Sequence, residues 1–168
     1  MKKSKRWIGV AALTAVTVVA FAASLVIKNN LNKGPANAIA VTQEGTDAGI
    51  KQIEAIKDGE TVTGYKVNVD AKGFGDPAMD LMITFNAAGD TVTSLEVISQ
   101  NETEGFGANI TKPEFLDQFN NVQVPVFIAA EPGEGTEIDA ISGATITSKA
   151  VVAAINGSQD YLTNNVVE

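Results

Sequence analysis

The longest apolar segment of the chain lies close to its N-terminus. Residues 7–27 carry no ionisable side chain and are mostly Val, Ala, Leu and Ile, and four basic residues precede them. As a helix with a rise of about 1.5 Å per residue, this segment would span roughly 31 Å, which matches a hydrocarbon core of about 30 Å. The pattern predicts a cytoplasmic tail over residues 1–6 and a transmembrane anchor over residues 7–27.

A cleaved signal peptide is the alternative interpretation of the same segment. Ala36-Asn37-Ala38 and Ala38-Ile39-Ala40 have the small-residue spacing that signal peptidase accepts. Signal-peptide cores are about 7 to 15 residues long and lie close to the cleavage site, whereas this apolar run is longer and ends well before Ala36. Under both interpretations the rest of the chain lies outside the cytoplasm, because the basic N-terminus favours the cytoplasmic side of the membrane. Residues 28–45 lack periodicity and are predicted to be a linker.

Three segments in the first half of the exported part are predicted to be strands, and the first two alternate apolar and polar residues, as half-buried strands do. They lie around residues 65–69, 79–85 and 92–98, and short turns make them antiparallel neighbours. Before them, Ile50, Ile53 and Ile56 recur at helical spacing. With Thr46 as a cap and Asp58-Gly59 as a stop, this spacing predicts a short helix.

The second half mixes helical and strand signals. Thr111-Lys112-Pro113-Glu114 has capping-box spacing and predicts a helix through residues 115–119. Residues 122–130 suit a buried strand in which Pro125 forces an edge or a bulge. A short strand over residues 137–141 and a helix over residues 148–156 follow. The sequence thus predicts an α+β fold over residues 46–168, a mainly antiparallel sheet with flanking helices.

Charge divides the chain at Lys33. All 20 acidic residues follow Lys33 together with six of the 12 basic ones, so the exported part carries a net charge of −14. Such a surface should bind neither nucleic acid nor anionic lipid. The acidity is explained by the solubility of an exported domain, and docking to a basic partner is the alternative.

The chain contains no Cys and no His. This excludes disulfides, thiol redox chemistry, iron–sulfur clusters, His-ligated haem, Ser-His-Asp triads and the usual zinc sites. Redox work by this chain would therefore need an organic cofactor.

Chemistry is concentrated in residues 139–149. A strand ends there, Gly143 permits a tight turn, and several hydroxyl side chains precede an Ala- and Val-rich helix. The free N–H groups and positive dipole end of such a helix favour a phosphate, and Lys149 could add a charge. The alternative is that Thr145, Thr147 and Ser148 are ordinary capping residues.

Asp139-x-x-Ser142-Gly143-Ala144-Thr145 resembles the D-x-x-[S/T]-G-A-T signature of the FMN-binding domain family. This family occurs in the G subunit of Rnf electron-transport complexes and in the C subunit of sodium-pumping NADH:quinone oxidoreductases. The resemblance implies that Thr145 carries FMN through a phosphoester bond. It also implies that a flavin transferase, which uses FAD as donor, attaches the group outside the cytoplasmic membrane. Asp139 and Ser142 are then recognition and turn residues for that enzyme.

Two further segments resemble the same family. Residues 102–107, Glu-Thr-Glu-Gly-Phe-Gly, resemble its E-T-P-G-L-G segment, with Glu104 in place of Pro and Phe106 in place of Leu. Residues 72–75, Lys-Gly-Phe-Gly, resemble a glycine-bearing turn of the family. A plain turn is the alternative for both. The cofactor-binding residues implied by the resemblance are Glu102, Thr103, Gly105, Gly107, Ser142, Gly143, Ala144, Thr145, Thr147, Ser148 and Lys149, with no metal ligand and no catalytic residue.

The function implied is that of an electron relay with covalent FMN in an ion-translocating ferredoxin:NAD oxidoreductase of the Rnf type. Its partners would be the other membrane subunits and the flavin transferase. It would be a single-pass protein of the cytoplasmic membrane, held through residues 7–27 with its C-terminal domain outside. The alternatives are the C subunit of the quinone-reducing sodium pump, a stand-alone surface flavoprotein for extracellular electron transfer, and a non-redox acidic surface module for binding or adhesion.

Overall fold

A computed structural model describes residues 37–129 and 131–167 of the chain. The predicted cytoplasmic tail and transmembrane anchor lie outside these ranges, as does the first half of the predicted linker, residues 28–36. Within the two ranges, no helix combines the length and the apolar character that crossing a membrane requires. The described residues belong to one compact unit that begins at Asn37, inside the predicted linker.

An antiparallel sheet forms the centre of this unit, with its strands side by side in chain order. Its core is the meander β2–β5, in which Val67 pairs with Ile83 and Leu81 pairs with Val97. The strands are β1 (Ala38–Ile39), β2 (Ile50–Asp58), β3 (Thr61–Ala71), β4 (Met79–Asn86), β5 (Thr91–Ser99) and β6 (Val122–Gln123). The three predicted strands are confirmed as β3, β4 and β5; β4 and β5 are slightly longer than the sequence indicated, and β3 is about twice as long.

Alternation along the strands separates a buried face from a polar one. In β4, Met79, Leu81, Ile83 and Phe85 are at most 1 % exposed, and the residues between them are partly accessible. The polar face carries Lys51, whose ammonium pairs with Asp70 at 2.9 Å and with Asp80 at 2.8 Å. Burial alone would lower the pKa of Lys51, but the hydrogen bonds and charges of these two carboxylates outweigh it and raise that pKa.

The helix predicted over residues 46–58 is wrong, because most of that segment is strand β2. A short helix, α1 (Gln43–Asp47), precedes it. The register between β2 and β3 shifts between Ile50 and Gln52, which marks a bulge. The extra residue turns both Ile50 and Ile53 towards the core although they are three apart, so a bulged strand imitates helical spacing.

The segment after β5 is mostly short helical turns. A 3₁₀ turn (Gly107–Thr111) leads into α2 (Pro113–Leu116), and a second 3₁₀ turn (Asp117–Phe119) follows. The position of Pro113 in the first helical turn is confirmed, but the capping box is wrong. Thr111 ends the preceding turn, and its hydroxyl donates to the Ala108 carbonyl oxygen at 3.0 Å.

Pro125 divides the predicted strand over residues 122–130 into two. Val122–Gln123 joins the main sheet, whereas β7 (Val126–Ile128) pairs in parallel with β8 (Thr136–Ile138) in a separate two-stranded sheet. The prediction that Pro125 interrupts the strand is thus confirmed. The predicted strand at 137–141 is confirmed in its first residues.

Helix α3 (Thr145–Asn165) covers the buried face of the sheet and is more than twice as long as predicted. Val151, Ile155 and Leu162 are fully buried against the sheet core. Spacings of four and seven residues place these side chains on one helical face. The fold is α+β with a mainly antiparallel sheet and flanking helices, as the sequence predicted, and the N-terminal end of α3 lies beside the loops after β3 and β5.

Candidate functional site

A cleft of about 390 Å³ opens at the N-terminal end of α3. Three segments form it: the loop after β3, the loop after β5, and the turn that leads into α3. The lining residues are Phe74, Glu102, Thr103, Phe106, Gly107, Gly143, Ala144, Thr145, Ile146 and Thr147. The fold therefore brings together the three segments that the sequence singled out separately.

Thr145 is the first residue of α3 and lies exposed at the lip of the cleft. Gly143 has a φ of +75°, which lets the chain turn sharply before the helix. The Ala144 N–H then donates to the Ile141 carbonyl oxygen at 2.9 Å. Because no side chain caps the helix, and the Thr145 hydroxyl bonds to no other described residue, this hydroxyl is available for chemistry.

The helix start has free N–H groups as well. The first N–H groups of any helix lack an intrahelical acceptor, and they combine with the positive end of the helix dipole to attract anions. The interpretation of Thr145, Thr147 and Ser148 as ordinary capping residues does not fit the structure, because none of them caps α3.

Ser148 stabilises the turn before α3 and does not line the cleft. Its hydroxyl accepts the Ile141 N–H at 3.0 Å and donates to the Ala144 carbonyl oxygen at 3.1 Å. The side chain is fully buried. Ser148 thus fixes the backbone on both sides of Gly143 and holds Thr145 at the helix start.

Glu102 connects all three segments of the cleft. Its carboxylate accepts the Gly75 N–H at 2.8 Å, the Phe74 N–H at 3.3 Å and the Thr147 hydroxyl at 2.5 Å. The residue is 9 % exposed. A buried carboxylate with three donors is a strong and directional connection.

Three large apolar side chains that flank the cleft are exposed to solvent. Phe74 is 72 % exposed, Phe106 is 54 % exposed and Ile146 is 59 % exposed. The remaining large apolar side chain of comparable exposure in the described chain is Ile98, which does not line the cleft. Clustered exposed apolar groups around a concavity mark a binding site. The sequence-based list of site residues omitted Phe74, Phe106 and Ile146.

Four of the residues predicted for the site lie elsewhere. Ser142 and Gly105 are outside the cleft, and Ser148 is buried behind it. Lys149 lies one turn beyond Thr145, and its ammonium pairs with Glu131 at 2.5 Å. The structure brings the other seven together, namely Glu102, Thr103, Gly107, Gly143, Ala144, Thr145 and Thr147.

Asp139 lies six residues before Thr145 and does not line the same cleft. It lines a separate cleft of about 330 Å³ together with Lys112 and Gln118. The Gln118 side chain holds the Asp139 backbone, accepting its N–H at 2.7 Å and donating to its carbonyl oxygen at 3.3 Å. Asp139 is thus exposed and accessible from outside without lining the cleft of Thr145.

The arrangement suits a ligand with two different ends. A helix start that attracts phosphate lies next to apolar walls that can contact a flat ring, and a free hydroxyl separates the two. Clefts of roughly 300 to 1,000 Å³ with mostly apolar walls and a few polar groups are typical of cofactor sites. FMN, a phosphate joined to a planar ring system, fits this set of groups.

Comparison with known proteins agrees with this chemistry. The sequence model described as "FMN-binding domain" matches residues 73–158. The match begins at the loop after β3 and ends within α3, so it contains every residue that lines the cleft.

Two curated relatives belong to ion-translocating complexes. The chain is 40 % identical over 101 residues to the G subunit of the "Ion-translocating oxidoreductase complex" of Methanosarcina acetivorans, and the match covers 60 % of this chain and 52 % of that protein. It is 32 % identical over 116 residues to the G subunit of the "Proton-translocating ferredoxin:NAD(+) oxidoreductase complex" of Clostridium ljungdahlii, covering 68 % and 62 %. The chain thus matches between about half and three fifths of the length of these relatives.

A solved structure has the same fold. Superposition on NqrC of Shewanella oneidensis gives a TM-score of 0.56 at 20 % sequence identity, covering 78 % of this chain and 68 % of the other. At this identity the likeness shows the fold alone.

Proposed function

Because the chain belongs to the FMN-binding domain family, we propose that it carries FMN covalently on Thr145 and relays electrons in an Rnf-type complex. The observation that carries the proposal is the exposed Thr145 hydroxyl, which has no partner among the described residues. It stands at the first position of α3 and at the lip of an apolar-walled cleft. The residue also ends the D-x-x-S-G-A-T segment.

Each end of the cofactor has a matching part of the site. The N–H groups at the start of α3 would hold the phosphate, and Phe74, Phe106 and Ile146 would contact the ring. Bound FMN supplies the one- and two-electron chemistry that this chain, without Cys or His, cannot supply by itself. A covalent link keeps the cofactor from being lost to the surroundings.

Attachment needs one new bond at Thr145. With FAD as donor, the Thr145 Oγ1 bonds to the phosphorus of the FMN half, the pyrophosphate bond breaks, AMP leaves, and the hydroxyl proton passes to solvent. A flavin transferase would perform the step. The exposed turn around Gly143 and the accessible Asp139 offer such an enzyme a surface beside the hydroxyl.

The proposal that this chain is a subunit of an Rnf-type complex is supported by the names of its relatives. Two of them are named as G subunits of ion-translocating or proton-translocating oxidoreductase complexes, and this chain would take the same place, with the other membrane subunits as partners. Residues 7–27 would anchor it in the cytoplasmic membrane, with the described domain on the outer side. Electrons would enter and leave through the ring in the open cleft.

Mass spectrometry of Thr145→Val tests the site. Full-length protein is produced with the transferase present and digested after Glu and Lys, which yields the peptide 138–149. The unaltered peptide should gain the mass of one FMN less one water, and the variant should gain nothing while unfolding at the same urea concentration. Thr163→Val, an exposed threonine further along α3, is the matched control and should retain the flavin. A flavin adduct of the same mass on Thr145→Val protein would refute the site.

The place in a complex needs a separate test. A tagged chain is purified from its native membrane, and the accompanying proteins are identified. Recovery of other membrane subunits together with yellow colour would support the relay function. Recovery of the flavin-loaded chain alone would instead indicate a stand-alone flavoprotein.

A further inference from the structure

Glu102 lies at the wall of the cleft and has no ion-pair partner among the described residues. Four ion pairs join side chains of the described residues, and none of them includes Glu102. Its three partners are the N–H groups of Phe74 and Gly75 and the hydroxyl of Thr147, all of them neutral. The side chain accepts all three hydrogen bonds, and no described Lys or Arg side chain lies within ion-pair distance of it.

Glycines in the two loops make room for this side chain. A Cβ on Gly73 would collide with the Glu102 Oε1, and a Cβ on Gly107 would lie 2.6 Å from the Oε2. Gly107 itself is buried. The carboxylate therefore fills a space that both loops leave open, and it cannot move without breaking its hydrogen bonds.

The residues it holds are those that flank the cleft. Glu102 binds the backbone of Phe74, lies four residues before Phe106, and binds Thr147, which directly follows Ile146. Because Phe74 and Phe106 project from loops and are more than half exposed, little packing holds them in place. The Glu102 carboxylate joins the loop after β3 to the first turn of α3, and an Asn101 side chain that donates to the Asp76 carbonyl oxygen is a second contact between the two loops.

We propose that Glu102 is a positioning residue with an electrostatic consequence: it holds the two phenylalanine loops against α3, and its negative charge, which has no ion-pair partner among the described residues, lowers the midpoint potential of flavin in the cleft. This inference rests on the proposed function, since it needs flavin beside Thr145. Adding electrons near a fixed negative charge in a partly dehydrated site costs free energy, so the oxidised form is favoured. The chain thereby biases its cofactor towards giving electrons away.

Glu102→Gln tests the charge with almost no change of shape. The amide oxygen can still accept the Gly75 N–H, and the Thr147 hydroxyl can turn to accept from the amide nitrogen, so only the 3.3 Å hydrogen bond from the Phe74 N–H is lost. At a fixed ambient potential, the ratio of reduced to oxidised flavin should rise about tenfold. For a two-electron couple this equals a shift of about +30 mV in the midpoint potential.

Glu104→Gln is the matched control. It removes the same charge two residues away in the same loop, but Glu104 is exposed and its charge is screened by water and salt. Its midpoint potential should equal that of the unaltered protein. An equal rise in both variants would refute the proposal, because the effect would then be one of net charge.

Thr147→Val separates position from charge. It deletes one hydrogen bond to the carboxylate but leaves the charge in place, so the midpoint potential should not rise. In the full-length chain made without transferase, Glu102→Ala should accelerate amide hydrogen exchange at residues 73–75 and 105–107, while Glu104→Ala should not. An unchanged potential in Glu102→Gln, a rise in Thr147→Val, or unchanged exchange in Glu102→Ala would each overturn the inference.

The two proposals fail in different ways. Absence of a flavin adduct from the unaltered chain would remove the proposed function. A normal adduct on Thr145 combined with any of the contrary results above would remove only the role of Glu102.

Discussion

Gly107 shows how tightly single residues determine the site. A Cβ at this position would lie 2.6 Å from the Glu102 Oε2 and 2.7 Å from the Thr147 Oγ1, atoms that hydrogen-bond to each other. The φ of Gly107 is not positive, so any residue could adopt its backbone conformation. Glycine is required here for space alone.

Gly107→Ala should therefore destabilise the protein by about 1–3 kcal/mol, the usual cost of overpacking a close-packed region. Urea unfolding of the full-length chain measures the loss. The added methyl group should also weaken the contact between Glu102 and Thr147, which would appear as faster exchange of the Phe74 and Gly75 amides. Unchanged stability would mean that the loop after β5 can move away from α3 at little cost.

The position of some site residues can be predicted from the sequence, and the position of others cannot. Thr145 was predicted from its short signature, and the structure puts it at the mouth of the cleft. Phe74 and Phe106 were noticed only as parts of glycine-bearing turns. Their joint position depends on the Glu102 carboxylate reaching a loop 27 residues away, and no local pattern encodes such a contact. Lys149 pairs with Glu131, a partner that becomes close only once β7 and β8 are in place.

Elements were predicted well where periodicity was regular. Strand β4 alternates along its whole length and β3 does so from Tyr65 onwards, and the sequence predicts both. Strand β5 alternates less regularly and is predicted from the turn before it. Strand β2 has the apolar spacing of a helix because a bulge after Ile50 turns residues three apart to the same side. The predicted helix ends at Asn156, where the polar residues 156–160 begin, whereas α3 continues to Asn165 and Ser158 within it is buried. Tertiary contacts continue the helix there.

Asn156 illustrates such a contact. Its side-chain oxygen accepts the Val126 N–H at 2.9 Å, and its side-chain nitrogen donates to the Val126 carbonyl oxygen at 2.8 Å. The amide thus pairs with β7 in the way a neighbouring strand would. Asn156, at which the predicted helix ends, therefore connects the two-stranded sheet of β7 and β8 to α3.

Gly157 offers a prediction at the scale of this helix. It lies within α3, and a Cβ there would meet nothing within 4 Å. Gly157→Ala should stabilise the protein by about 0.5–1 kcal/mol, because alanine loses less backbone entropy in a helix. Urea unfolding of the full-length chain measures this gain. Gly157→Ala also serves as the control for Gly107→Ala, because both variants replace a glycine by alanine. A loss of stability would show that the surroundings of Gly157 are more crowded than the structure indicates.

Across the whole molecule, the beginning and the end of the described chain contact each other. The Tyr161 hydroxyl accepts the Thr42 N–H at 2.9 Å and donates to the Thr42 Oγ1 at 3.1 Å, across 119 residues of sequence. The ring of Tyr161 also packs against Gly45 in α1. The overall class, α+β with an antiparallel sheet, followed from alternation in single segments. The contact between Thr42 and Tyr161 could not be predicted, because residues 28–45 show no periodicity.

Tyr161→Phe should therefore loosen the start of the folded unit without unfolding the rest. The ring stays in place and only the hydroxyl is lost, so the global free energy of unfolding should fall by about 1 kcal/mol, the usual net value of a hydrogen bond. Amide exchange at Thr46 and Ala48 in α1 and its C-terminal end should become faster, while exchange at Val151 and Ile155 in α3 should not change. Tyr65→Phe is the matched control, since Tyr65 is similarly buried but its hydroxyl bonds to no other described residue. If both variants lost the same stability, or if exchange in α1 stayed slow in Tyr161→Phe, the packing of Gly45 against the ring, rather than the hydroxyl, would hold this segment to α3.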